Sequence, residues 1–163
     1  MKTKVFGISL NLKESELVLG KKFPYFDVET VYGDAFSHVN LLGKKTVIST
    51  FPDINTKVCS IQTRKFIESF QNDDRVQLVS ISTNSNNDFL HWCAQEGLKA
   101  TMISDKSGDI AKRLGVWIPI INKYARTVMI VDELGYIEKI YVTKNITDEP
   151  DYKAVIGYLN IKK

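Results

Sequence analysis

The sequence predicts a three-layer α/β/α sandwich on a mixed sheet. Three observations carry this: apolar strand-like runs alternate with helix-length segments through the middle of the chain, two late runs meet at a tight turn, and a helix follows them. Interleaved strands and helices place helices on both faces of a parallel sheet, and a late hairpin adds an antiparallel edge. The 163 residues, 44% hydrophobic, suit one domain over 1–163, since a chain of this length buries roughly 70% of its unfolded surface.

Residues 1–20 read as an N-terminal hairpin extension, with a strand before Asn11, a turn over Asn11–Ser15 and a strand over Glu16–Leu19. Gly20–Pro24 is a loop, Phe26–Val31 alternates as a half-buried strand does, and Gly33-Asp34 is a turn. Thr46–Phe51 is rich in β-branched and aromatic residues, and Pro52 ends it because proline has no N–H to give a ladder. From about Lys57 to Gln71, Cys59, Phe66 and Phe70 fall within about 20° of one line at 100° per residue, the stripe of a helix. Val76–Ile81 is a near-continuous apolar run of the kind buried on both faces. Asn84–Asn87 supplies N-cap candidates for a helix over Asp88–Glu96 that Gly97 closes. Ala100–Ile103 is a short strand, Gly108–Leu114 a short helix, and 115–124, with Trp117 and Pro119, an irregular stretch. Thr127–Asp132 and Tyr136–Val142 pair about Glu133-Leu134-Gly135, and the last helix starts after Pro150 with Ala154, Val155, Tyr158 and Leu159 turned inward.

Twenty-two basic residues lie scattered among 19 acidic ones for a net charge of +3, without the clustered stripe of a nucleic-acid surface, so no nucleic-acid partner is expected. The apolar run in Met1–Leu10 is too short for a signal-peptide core, and no later run reaches membrane-spanning length. The expectation is a soluble cytoplasmic protein with no membrane association. Two cysteines are too few for a disulfide framework and, without histidines at ligand spacing, too few for zinc; neither metal nor cofactor is expected.

The chemistry is expected in Pro52–Cys59, the loop that leaves the strand at Phe51 and enters the first turn of the next helix. Unpaired N–H groups and the positive end of the helix dipole favour a thiolate at Cys59. Taken alone, Cys59 also reads as a small buried hydrophobe on the stripe it shares with Phe66 and Phe70.

The spacing Pro-x-x-x-Thr-x-x-Cys over Pro52–Cys59 is the same as in the peroxidatic loop of peroxiredoxins, and Gln62–Phe66 resembles the helix that follows it there. The chain resembles the thiol peroxidase branch, the atypical two-cysteine peroxiredoxins, over nearly its whole length. That resemblance implies a thioredoxin-like fold and a peroxidase acting on hydrogen peroxide and organic hydroperoxides. It implies Cys59 as the peroxidatic cysteine and Cys93, 34 residues later in the context Phe89–Gly97, as the resolving one, joined to it by a disulfide within one chain. It further implies Arg126, in Ala125–Val128, as the active-site arginine, a terminal helix starting at Asp148–Tyr152, thioredoxin or a thioredoxin-like protein as reductant, and a homodimer. Lys57 beside Thr56, the His91-Trp92 pair before Cys93, and bulky Trp117–Ile121 depart from the family pattern and bear on substrate preference and reductase docking.

Physical chemistry assigns matching roles. Thiolate attack on a peroxide stretches an O–O bond, so negative charge needs stabilising at both ends. Thr56 can donate to the thiolate or accept from the peroxide, or it can be an ordinary N-cap. Arg126 offers a fixed charge and a rigid fork, where without the motif it would read as a surface cation. Pro52 shapes the loop and shields the sulfur, besides ending the strand. Arg64, five residues after Cys59, is either a further positive charge or a solvated one. Neither His38 nor His91 has a catalytic role in this reading. Both cysteines sit on inward stripes of separate helices, so bringing their Cα atoms within about 4.4–6.8 Å requires one or both helix ends to unwind, and the first turn around Cys59 and the segment around Cys93 are expected to be locally unstable. Two rival readings use the same residues: a thiol–disulfide exchange protein, against which stands the lack of a Cys-x-x-Cys pair, and a non-enzymatic redox sensor, which only reaction rate separates from an enzyme.

Overall fold

The computed structural model describes residues 2–5, 8–11 and 19–161. In chain order the first half carries β1 (Lys2–Val5), β2 (Ile8–Asn11), β3 (Asp27–Glu29), β4 (Ala35–Ser37), β5 (Lys45–Thr50), α1 (Lys57–Phe70) and β6 (Val76–Ser82). The second half carries α2 (Asn86–Glu96), β7 (Thr101–Ser104), α3 (Asp109–Leu114), β8 (Trp117–Ile118), β9 (Lys123–Tyr124), β10 (Thr127–Val131), β11 (Ile137–Val142) and α4 (Tyr152–Ile161).

The central sheet has the order β11-β10-β5-β6-β7, with β5, β6 and β7 parallel and β10 and β11 antiparallel to their neighbours. This is the mixed sheet that the sequence predicts, with the late hairpin as its antiparallel edge. β5 lies in the middle, which suits its β-branched run: Val47, Ile48, Ser49 and Thr50 are all at most 1% exposed. Paired residues share a sheet face, so Val47, Ser49, Met102, Val128 and Ile130 line one face and Ile48, Val79, Ile103 and Met129 the other. The first face packs under Phe66, Phe70, Val155 and Leu159 from α1 and α4, and under Phe89, Trp92 and Cys93 from α2. The second packs against Ile110, Ala111 and Leu114 of α3 together with Phe23, Phe26 and Tyr124. Helices thus cover both faces, giving the three layers. Phe66, wholly buried, contributes about 1.5–3 kcal/mol by leaving water.

Several boundaries differ from the sequence reading. The N-terminal hairpin pairs Lys2–Val5 with Ile8–Asn11, so Asn11 lies in a strand and not in a turn. Most of the strand expected over 16–19 lies outside the described residues, and Leu19 belongs to a turn. α2 starts at Asn86 because the Ser85 side chain accepts from the Asp88 N–H, so the cap lies one residue before the first turn. The stretch 115–124 is not irregular: β8 and β9 pair across a turn at 119–122, and strands of two residues each carry no readable periodicity. Trp117 there lies over Gly108, which starts α3 at φ +72°; a Cβ at Gly108 would come within 2.3 Å of the indole. No described helix is long and apolar enough to cross a membrane.

Candidate active site

The loop between β5 and α1 is fixed at two points before it reaches Cys59. Phe51 and Ile54 are wholly buried, and half-buried Pro52 follows Phe51 where the ladder stops. Asn84, 7% exposed, spends its whole amide on this loop and its surroundings. Its Oδ1 accepts from Ile54 N (2.9 Å) and Ser82 Oγ (2.6 Å), and its Nδ2 donates to Asp53 Oδ1 (2.9 Å) and Asp88 Oδ2 (3.2 Å). The Asp88 carboxyl is held below its ordinary range, first by the Asn84 hydrogen bond. Thr56 takes the N-cap position of α1 with an extended backbone, yet its hydroxyl makes no cap: Oγ1 donates to the Asp53 carbonyl at 2.8 Å. The expected donation to sulfur is therefore absent in this arrangement, and Thr56 Oγ1 presents acceptor capacity instead.

Cys59, third residue of α1, is wholly buried. Arg126 Nη1 lies 3.3 Å from its sulfur. That guanidinium, 3% exposed, is fixed by two further bonds: Nη1 donates to Gln62 Oε1 at 2.8 Å and Nε to the Ile146 carbonyl at 2.8 Å. Gln62, one turn beyond Cys59 and also wholly buried, anchors in turn to β5 through Nε2, which donates to Ser49 Oγ (2.8 Å) and the Thr50 carbonyl (3.2 Å). The backbone around Arg126 is pinned to the same strand, since Thr50 Oγ1 donates to the Ala125 carbonyl at 2.9 Å and accepts from Thr127 N at 3.2 Å. A charged fork is thus aimed at a buried sulfur by bonds to sheet and helix, the arrangement that stabilises an anion without reorganisation.

Cys93 lies in the last turn of α2, 5% exposed, in the same apolar cluster as Cys59, Phe51, Phe89 and Met102. Its sulfur is 3.6 Å from Met102 Sδ. Tyr32 also reaches it: burial, and then a hydrogen bond with Cys93, push the Tyr32 hydroxyl up to about 12. Neither cysteine is in a disulfide.

Of the residues singled out in the sequence, Cys59 and Arg126 meet directly, Cys93 shares their cluster, and Thr56 and Pro52 frame the loop. Arg64 does not reach Cys59: it pairs with Glu68 and Glu96. Sequence reasoning missed Gln62, Asn84 and Tyr32. Gln62 had a readable signal, a polar residue three after Cys59 on an otherwise apolar stripe; the other two come from distant segments and had none.

The model of the AhpC/TSA family matches residues 19–140. The thiol peroxidase of Halalkalibacterium halodurans is 36% identical over 158 residues, 92% of each chain, and that of Oceanobacillus iheyensis is 35% identical over 120 residues, 72% of this chain and 73% of its own. Among solved structures, a peroxiredoxin-like protein from Aquifex aeolicus superposes with a TM-score of 0.86 at 24% identity, covering 98% of this chain and 96% of its own. The thiol peroxidase from Chromobacterium violaceum gives 0.81 at 17%, covering 99% and 96%; these two likenesses speak for the fold. On the family match and the relatives' identity over most of the chain, this protein belongs to the AhpC/TSA family and, within it, to the thiol peroxidases.

Proposed function

We propose that this peroxidase works through Cys59 as nucleophile and Cys93 as resolving thiol. The observation that carries the assignment is the Arg126 guanidinium 3.3 Å from the buried Cys59 sulfur. The Cys59 thiolate attacks one peroxide oxygen, the O–O bond breaks, and the other oxygen leaves as water or an alcohol after taking up a proton. Arg126 stabilises charge on sulfur and then on the separating oxygens, while Thr56 Oγ1, its proton committed to Asp53, accepts a hydrogen bond from the peroxide and orients it. Pro52 shields the sulfur on the loop side. The product is the Cys59 sulfenic acid.

The Cys93 sulfur then attacks the sulfenic sulfur, its proton leaves with the hydroxyl as water, and an intramolecular disulfide remains. The position of Cys59 in the first turn of one helix and of Cys93 in the last turn of another supports closure by fraying of two helix ends. A dithiol of the thioredoxin type reduces the disulfide by exchange. The protein is a homodimeric cytoplasmic enzyme that takes hydrogen peroxide and organic hydroperoxides. Relatives named as thiol peroxidases do not favour the sensor or exchange readings.

Rapid mixing of the reduced protein with each peroxide tests this. Cys59→Ser is expected to abolish the reaction, and Cys93→Ser to react once and accumulate a trappable sulfenic acid. A wild type no faster than an ordinary thiol would overturn the assignment.

A further inference from the structure

A chain of polar contacts joins the two cysteine-bearing helices beside the cysteines themselves. Trp92 Nε1 donates to Ser60 Oγ at 2.8 Å, and Ser60 Oγ donates to Glu96 Oε1 at 3.3 Å. Arg64 closes the chain, ion-paired to Glu96 Oε2 and reaching the Glu96 carbonyl at 3.5 Å. Ser60 and Arg64 are four residues apart on α1, and Trp92 and Glu96 four apart on α2, so two one-turn stripes face each other. Ser60 adjoins Cys59 and Trp92 adjoins Cys93. Ser60 closes the first turn of α1 and Glu96 the last turn of α2, the two ends whose fraying the proposed disulfide uses, while Arg64, a turn further into α1, and Trp92, just before the last turn of α2, back them.

We propose that Trp92, Ser60, Glu96 and Arg64 form a latch that times the resolution step by holding these two helix ends together. The inference rests on the roles of Cys59 and Cys93 proposed above. Helix ends fray at little cost unless something ties them. Here opening strips the largely buried Trp92 N–H of its partner and separates an ion pair, so the opened state is rarer than in two untied ends. The Cys59 sulfur is held separately, by Arg126, so the latch acts on opening and leaves peroxide attack alone. While it holds, the sulfenic acid waits, and a second peroxide can convert it to sulfinic acid with release of water or alcohol. Trp92, Ser60, Glu96 and Arg64 are positioning residues: they set how long the sulfenic acid lasts.

The test is quenched flow with mass spectrometry, following the Cys59 thiol, sulfenic acid, disulfide and sulfinic acid in wild type, Trp92→Phe and Arg64→Ala. Trp92→Phe keeps the ring and removes the N–H; Arg64 is half-exposed, so its loss leaves the core intact. Disulfide formation is expected to quicken about tenfold in Trp92→Phe and about threefold in Arg64→Ala, near the rate equivalent of one net hydrogen bond, with attack within about twofold of wild type. Sulfinic acid at a fixed peroxide dose falls in step. Disulfide formation at the wild-type rate in both variants, or a fall in the attack rate instead, overturns the latch alone. A wild type that forms no 59–93 disulfide overturns the cysteine roles and the latch with them.

Discussion

Cys59 and Cys93 share one apolar cluster and are both almost fully buried, yet their sulfurs meet opposite chemistry. Cys59 faces a guanidinium held by Gln62 and the Ile146 carbonyl. Cys93 faces a thioether, Met102, and a phenol, Tyr32. A fixed cation suits a sulfur that must carry charge and then pass it to a leaving oxygen. A soft, neutral shell suits the role proposed for Cys93, a sulfur that waits until its helix end opens. Burial alone does not distinguish Cys59 from Cys93; the partner atoms do, and they differ in the sense that the roles proposed for the two sulfurs require.

Arg126 carries most of the difference between the two sulfurs. Arg126→Ala removes the only charge in hydrogen-bond reach of Cys59 among the described contacts and leaves buried Gln62 Oε1 and the Ile146 carbonyl short of a donor. Peroxide attack, measured by rapid mixing, is expected to fall about 10²–10³-fold, the usual cost of losing one preorganised donor. Arg126→Lys keeps the charge and loses the fork, and it is expected to recover only part of the rate. Resolution, followed as disulfide formed per sulfenic acid, stays unchanged in both. If Arg126→Ala slowed the two steps equally, the two thiols would not be differently equipped.

Gln62 sharpens the same contrast one step back. Its amide joins Arg126 to Ser49 and Thr50 of β5. Gln62→Leu fills similar space without those bonds and leaves the guanidinium less well aimed, so attack is expected to drop about tenfold, equivalent to roughly 1.4 kcal/mol. Gln62→Glu keeps an acceptor and adds charge, which binds Arg126 more tightly and draws it from the sulfur; a smaller loss than in Gln62→Leu would count against this route.

Much of this site was legible in the sequence because its parts are local. Strand, proline, threonine and cysteine follow one another within Thr46–Cys59, and the helical stripe identifies the turn that carries the thiol. The mixed character of the sheet followed from interleaved strands and one late hairpin, whereas its strand order is seen only in the structure. What was not legible depends on segments far apart in the chain. Asn84 clamps Ile54 from 30 residues away, and no spacing rule connects them. Tyr32 reaches Cys93 from just before the Gly33-Asp34 turn, a position to which no local pattern assigns a partner. β8 and β9 are too short for any pattern, and the N-terminal hairpin turned earlier than its polar residues suggested. Arg64 was left between two readings, and long-range pairing with α2 decided for neither.

On the Cys93 side the expected effect is smaller. Tyr32→Phe removes the hydroxyl that reaches this sulfur and leaves the ring in place under the Lys99 ammonium, 4.7 Å from its centroid. Resolution is expected to slow about threefold, one weak neutral hydrogen bond, with attack unchanged. The Tyr32 hydroxyl titrates only at about 12, so it remains a protonated donor at lower pH and the ratio of mutant to wild-type resolution is flat across the working range. A ratio that changed with pH near neutrality would mean that another group mediates the effect.

The smallest effect concerns the loop clamp that links the two sides. Asp88 stands on the Cys93-bearing helix, and its carboxylate accepts from Asn84, whose Oδ1 holds Ile54 on the Cys59 loop. Hydrogen bonding, first from Asn84, lowers the Asp88 carboxyl below its ordinary value. A carboxyl lowered on folding adds stability above its unfolded value and loses it as pH falls through the folded one. Asp88 is only partly buried and its charge is screened by solvent, so the contribution is at most about 1 kcal/mol. Hydrogen exchange of the Ile54 amide reads the clamp directly. Corrected for its intrinsic rate, exchange is expected to be a few-fold faster in Asp88→Asn than in wild type at neutral pH, with the difference closing in acid where wild-type Asp88 has itself taken up a proton. A difference that persisted in acid would assign the protection of Ile54 to packing, and the two cysteine regions would then be coupled through the shared core alone.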